Sequence, residues 1–137
     1  YKLHPNEDKN DFNKYKNYNS DNFRLIKNGD SSCIVSMSDI VMTFFSTVGL
    51  QAVVANKPLI TINLTGKRYE LDYAEMGYAK QVTDLENLSD MIRALLDSNS
   101  NESLELAVNR RDIGIPTDSA QTIAKLTVSL MENGINH

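Results

Sequence analysis

Three features of this 137-residue chain predict an α/β fold, a three-layer αβα arrangement with a parallel sheet of about five strands. Residues 39–44 and 59–64 are short apolar runs rich in β-branched residues, the pattern of strands buried on both faces. Between them, Ser46-Thr47-Val48-Gly49-Leu50-Gln51-Ala52-Val53-Val54-Ala55 changes to helix-compatible residues and stops before Pro58. Strand, hydroxyl-bearing turn, helix and strand make a βαβ unit, and ligands of open parallel sheets sit at the carboxyl ends of the strands.

Each remaining element has its own signal. Tyr1-Lys2-Leu3 runs into His4-Pro5 like the end of a strand, without an initiator Met, so an excised, N-terminally truncated piece of a larger two-domain protein is expected. Asn6 can cap a helix with Glu7 and Asp8 in its first turn and with Phe12 and Tyr15 on one face. Residues 23–27 alternate apolar and basic side chains as a strand does, and Asn28-Gly29-Asp30 is a turn. Ser31 and Ser32 can cap a short helix through Ile34, Val35 and Met37 that leads to the central strand.

Beyond Leu64 the chain becomes polar, Thr65-Gly66-Lys67-Arg68-Tyr69-Glu70-Leu71-Asp72-Tyr73, just past a strand end where functional loops belong. Residues 78–82 read as an edge-like last strand of the set 1–3, 23–27, 39–44, 59–64 and 78–82. Thr83 and Glu86 have capping-box spacing and open a helix with Leu85, Leu88, Ile92, Leu95 and Leu96 on one face. A shorter helix around Leu104, Leu106, Ala107 and Val108 ends near Arg110-Arg111. Gly114 and Pro116 then break the chain. Asp118 or Ser119 caps a final helix with Ile123, Leu126, Leu130 and Met131 facing inward and Gly134 as its stop.

Composition excludes several classes. A formal net charge of −4, from 18 acidic and 14 basic residues that are interspersed, gives no broad basic field, so nucleic acid is not an expected partner. The lone Cys33 forms no internal disulfide, which agrees with a reducing, cytoplasmic setting. No apolar run approaches the roughly 20 residues of a membrane span, and there is no secretory signal. The glycosylation sequons at Asn63, Asn87 and Asn101 are therefore read as chance matches. CxxC, HExxH, GxSxG, GxGxxG and Walker A patterns are absent, which removes support for metal hydrolase, serine hydrolase, dinucleotide and P-loop chemistry.

The chemistry that remains is anion binding. Ser46, Thr47 and the backbone near Gly49 lie at a helix start, where hydroxyls and unpaired N–H groups can hold a phosphate; equally, Ser46 can be a cap and Gly49 a packing residue. His4 lies between a strand end and a helix start and can donate to a phosphate, or serve as a structural residue. Lys67 and Arg68 are adjacent cations that fit either a ligand contact or a solvated loop.

In chain order, Lys2-Leu3-His4-Pro5-Asn6-Glu7, Ser38-Asp39-Ile40-Val41-Met42-Thr43, Ser46-Thr47-Val48-Gly49-Leu50-Gln51-Ala52 and Asn56-Lys57-Pro58-Leu59-Ile60 resemble the C-terminal half of GT-B glycosyltransferases. The likeness is to the bacterial surface-polysaccharide types with a K-x-H-P motif and a serine/threonine pair: capsular, Kdo, sialic acid and teichoic-acid transferases. The UDP-N-acetylglucosamine 2-epimerase family shares this architecture. The resemblance implies that residues 1–137 are one Rossmann-like domain that binds a CMP-, CDP- or UDP-linked sugar, without metal or other cofactor. His4 would contact the nucleotide or its phosphate, Ser46 and Thr47 the donor phosphates, and Gly49 would allow close approach. Gln51 stands where many members have a ribose-binding glutamate, and an amide lacks that charge-assisted strength.

The implied reaction is glycosyl transfer, with the departing phosphate stabilised here and helped by His4 or by Lys67 and Arg68. The acceptor site and general base would belong to a missing N-terminal domain. Through that part the protein would associate peripherally with the inner face of the membrane. The isolated piece is expected to bind nucleotide weakly and to catalyse nothing. Rival expectations are an epimerase-like domain, a glycerophosphotransferase-type (CDP-alcohol) domain, and a non-catalytic interaction module favoured by Gln51.

Overall fold

A computed structural model describes residues 1–4, 13–18, 20–111 and 119–134. The helix expected from Asn6 lies largely outside them; residues 13–15 are helical and Lys16–Tyr18 form a 3₁₀ turn. Tyr15 meets Tyr1 edge to face at 5.8 Å.

The fold is mixed α/β around a three-stranded parallel sheet: β1 (Val41–Thr43), β2 (Leu59–Ile62) and β3 (Lys80–Val82), in the order β1-β2-β3. Val41, Met42 and Thr43 pair with Leu59, Ile60 and Thr61, and Ile60, Thr61 and Ile62 with Lys80, Gln81 and Val82. Five strands were expected. Residues 1–3 and 23–27 instead meet each other in one isolated parallel bridge, Lys2 with Ile26, through Leu3 N–H to the Ile26 carbonyl (3.0 Å) and Ile26 N–H to the Tyr1 carbonyl (2.8 Å). Alternating side chains give a segment a strand's tendency, but a sheet strand also needs a neighbour in register.

Helices cover both faces. On one side lie α1 (Ser31–Ser36) and α2 (Val48–Val54), whose Val35, Ala52 and Val53 pack with Val41, Leu59, Tyr73 and Ala79. On the other lie α3 (Leu88–Leu96) and α4 (Asn101–Arg111), whose Leu95 and Leu106 pack with Ile60 and Val82. The two clusters follow from the period of two: Leu59 faces α2 and Ile60 faces α3. Central β2 is the strand buried on both faces, whereas β1 is an edge with Met42 half exposed. The both-face burial expected of β1 is therefore not found.

Capping differs in detail from the sequence expectation. Asp30, not Ser31 or Ser32, caps α1 by accepting from Ser32 N–H at 2.9 Å. Asp84, not Thr83, accepts from Glu86 N–H and opens a 3₁₀ turn, Leu85–Asn87, before α3. That turn rotates Leu85 to solvent, and Leu96 at the other end is exposed as well, so the inward stripe of α3 is Leu88, Met91, Ile92 and Leu95. α2 stops as expected: Asn56 takes the left-handed conformation (φ 53°), and Pro58 follows.

α5 (Ser119–Gly134) is the largest departure. Ile123, Leu126 and Met131, expected to face inward, are 65%, 60% and 63% exposed. Their spacing specifies a helix with an apolar stripe but carries no information about which surface meets it.

One contact governs the carboxyl end of the sheet. A Cβ added to Gly49 would lie 2.4 Å from Tyr73 Cε2, so the missing side chain is the space that the Tyr73 ring fills. Gly49→Ala should gain up to about 1 kcal/mol in helix propensity. It should lose roughly 1–3 kcal/mol to overpacking, because the ring that the new methyl group meets is fully buried. A lowered urea-unfolding midpoint is the expected outcome, and Gly49→Ala should be milder in a Tyr73→Leu background, where the clash is absent.

Candidate functional site

The site is made of two loops, residues 44–47 after β1 and residues 63–79 after β2. Because the strands are parallel, both emerge at the same edge of the sheet. Thr47 is the N-cap position of α2, with helical backbone angles and no side-chain cap bond; the Ser46 hydroxyl instead accepts from Val48 N–H at 3.3 Å. The Ser46 carbonyl accepts twice, from Gly49 N–H at 2.9 Å and from the Tyr73 hydroxyl at 3.2 Å. Gly49 N–H is thus engaged inside the turn. The close approach read from Gly49 is made by Tyr73 of this chain.

Loop two is held by Asn63, which is buried at the end of β2. Its N–H donates to the Val82 carbonyl at 2.9 Å, its Nδ2 donates to the Lys67 carbonyl at 2.8 Å, and its Oδ1 accepts from the Thr65 hydroxyl at 3.3 Å. Gly66, at φ 64°, makes the reversal that this closure requires. The Tyr69 ring then stacks on Phe45 at 4.7 Å between centroids and 14° between planes, a second bond between the loops. Arg68, Tyr69, Glu70, Asp72, Glu75 and Met76 line an open depression of about 630 Å³, within the range of ligand sites.

The sequence-predicted residues divide among these places. Ser46, half-buried, and Thr47, exposed, are neighbours at the β1 loop. Lys67 and Arg68 are exposed on the β2 loop, and Arg68 pairs with Glu75 at 3.0 Å in solvent, a bond of the weak surface class. His4 is exposed just past the Lys2–Ile26 bridge, outside the three-stranded sheet. Gln51 is half-buried in α2, with its Oε1 shielded from solvent and unpartnered; the Thr61 hydroxyl on β2 is in the same condition. Leu59 and Thr61 share the α2 face of the sheet, so both orphan groups lie on that side.

Phe45, Asn63, Tyr69 and Tyr73 are the residues that sequence reasoning did not select. A Thr-Gly pair, Thr65-Gly66, two residues after an Asn that follows a strand was the available signal for Asn63. The Phe45–Tyr69 and Ser46–Tyr73 contacts join residues more than twenty positions apart, and no local pattern announces them.

Burial raises the pKa of the Tyr73 phenol above its ordinary 10.0, and the backbone amide of Leu50 opposes that shift. Above pH 10.0 the unfolded chain loses this proton first, so it binds fewer protons than the folded state and stability falls as pH rises. Tyr73→Phe should remove that part of the alkaline loss. At neutral pH it should cost about 1 kcal/mol for the bond to Ser46, read from urea midpoints at pH 8 and above pH 10.

Replacing Gln51 by leucine deletes a buried acceptor with no partner and keeps the volume. The expected outcome is an unchanged or higher unfolding midpoint, by up to about 1 kcal/mol. A fall of several degrees would show that the amide is hydrogen-bonded within the fold.

Among the described residues no group of three or more His, Cys, Asp or Glu could hold a metal ion, and no helix is long and apolar enough to cross a membrane. Compared with protein-family models, with curated proteins and with solved structures, the chain matches none.

Proposed function

We propose that this chain is the nucleotide-sugar-binding domain of a glycosyltransferase of surface-polysaccharide synthesis, with Ser46 and Thr47 on the donor phosphates. The observation that carries the reading is the clamp joining the two carboxyl-end loops: Tyr73 on the Ser46 carbonyl and Tyr69 on Phe45. It holds the loop that carries the Ser46 and Thr47 hydroxyls against the loop that lines an open depression, at the end of the sheet where parallel sheets bind ligands. α2 has only seven residues, so the two hydroxyls, not a long helix dipole, are the principal anion contacts. In the reaction the bond from the anomeric carbon to the phosphate oxygen breaks, and a new bond forms to an acceptor hydroxyl oxygen. That hydroxyl's proton passes to a base on the acceptor domain, and negative charge collects on the phosphate held by Ser46 and Thr47.

The donor's base is CMP-, CDP- or UDP-type on this reading, and the domain works at the cytoplasmic side of the membrane. A rival reading, a non-catalytic interaction module, is favoured by the exposed apolar stripe of α5. Amide-resolved NMR titration of the chain with CMP, CDP, UDP and GDP separates them. On the transferase reading at least one nucleotide shifts Ser46, Thr47 and their neighbours at millimolar concentration, and Ser46→Ala weakens it about tenfold, the worth of a charge-assisted hydrogen bond. Silence with all four nucleotides would favour the interaction module.

A further inference from the structure

We infer that the depression beside Tyr69 is the subsite for the donor's glycosyl group and that it selects an uncharged sugar over an acidic one. This rests on the transferase reading for the position of the phosphate, but the selectivity follows from the lining alone.

A glycosyl group is bonded directly to the donor phosphate, so its subsite must adjoin Ser46 and Thr47. The depression is tied to that loop through its neighbours: its wall residue Tyr69 stacks on Phe45, the residue before Ser46, and Tyr73, next to its Asp72, donates to the Ser46 carbonyl. Its lining holds one cation, Arg68, and three carboxylates, Glu70, Asp72 and Glu75, with the Tyr69 ring and Met76 as the apolar surface. Arg68 is already paired with Glu75 at 3.0 Å. Asp72 is turned inward to cap the next turn, where its Oδ1 accepts from Ala74 N–H at 3.0 Å and Glu75 N–H at 3.1 Å. This leaves Glu70, and the second oxygen of Asp72, as acceptors whose charge nothing in the lining offsets.

Such a lining repels anions and accepts hydroxyl donors. A phosphate in the depression would meet an excess of two negative charges, so Arg68 is not a phosphate ligand there. Sugar hydroxyls donate to carboxylates, and the apolar face of a pyranose ring suits Tyr69 and Met76. A sugar bearing its own carboxylate would face Glu70 and Asp72. One like charge at roughly 5 Å in well-hydrated surroundings weakens binding about fourfold before screening, so Glu70 and Asp72 together weaken it about tenfold once salt is counted.

UDP-glucose and UDP-glucuronate differ only at C6, a hydroxymethyl group against a carboxylate, and therefore isolate the effect of the charge. NMR titration of the chain with UDP and these two donors should shift the amides of residues 68–76 with UDP-glucose and not with UDP. UDP-glucuronate should bind roughly tenfold more weakly. Glu70→Gln, at an exposed position that leaves the fold intact, should narrow that ratio to about threefold, and Glu75→Gln, which frees Arg68, should narrow it too. Equal or tighter binding of UDP-glucuronate overturns the inference, as do identical shifts of residues 68–76 by UDP and UDP-glucose.

If UDP binds nowhere, free sugars at tens of millimolar decide the matter. Methyl glucoside shifting residues 68–76 while glucuronate does not would uphold the subsite independently of the phosphate reading, which the titrations with CMP, CDP and GDP decide. Shifts with 1,4-diaminobutane but not with methyl glucoside would identify a cation site instead. No shift with any of these probes overturns the subsite, and silence of CMP, CDP and GDP as well overturns the phosphate reading with it.

Discussion

The carboxyl edge of this sheet depends on one tight contact, the Tyr73 ring over the bare α-carbon of Gly49. The ring, 1% exposed, is among the largest fully buried side chains and belongs to the same cluster as Ala52, Val53 and Leu59. Its hydroxyl reaches the Ser46 carbonyl because the ring can lie flush against α2, which only glycine permits. Core packing and site geometry are therefore one constraint. The hydrophobic side holds the loop after β2 against the loop after β1, and the polar end sets the backbone on which Ser46 and Thr47 stand.

The same coupling limits how far either loop can vary. Asn63 closes residues 63–67 through its side chain, and Val82 receives its N–H, so the second loop is anchored to β2 and β3 before Tyr69 and Tyr73 reach across. The Phe45–Tyr69 stack lies outside the core, with Phe45 61% exposed, and holds the loops at their outer rim. An inner hydrogen bond and an outer ring stack spaced along one seam resist hinge motion better than either alone, because each stops the rotation that the other allows.

What could be read from the sequence follows the range of the interactions. β1 and β2 were legible because β-branched runs between turn residues are local signals, β3 was legible as the short segment that follows Gly77, and the end of α2 was legible from Asn56-Lys57-Pro58. The number of sheet strands was not, since residues 1–3 and 23–27 have strand-like patterns yet make only isolated bridges, Lys2 with Ile26 and Phe23 with Ser20. The inward face of α5 was not, since Ile123, Leu126 and Met131 form a stripe that is exposed among the described residues. At the site, Ser46 and Thr47 stood out as hydroxyls just past a strand. Tyr73 did not, being one aromatic in a polar stretch and meeting its partner 27 positions away.

Arg68 shows why charge in a sequence is a poor guide to what a loop binds. Beside Lys67 it reads as half of a cationic pair suited to phosphate, yet Glu75 lies seven positions on and takes it at 3.0 Å. Both partners are well exposed, so the bond itself contributes little to stability. Its larger effect is electrostatic. With Arg68 offset, Glu70 and Asp72 are the charges of the lining that remain without a counter-ion there, which is the basis for the proposed preference for neutral polyols over anions. The phosphate-binding part of the proposed site is thereby separated from the sugar-binding part: hydroxyls and backbone on the β1 loop, carboxylates and a ring on the β2 loop, with the Tyr73 bond holding the two side by side.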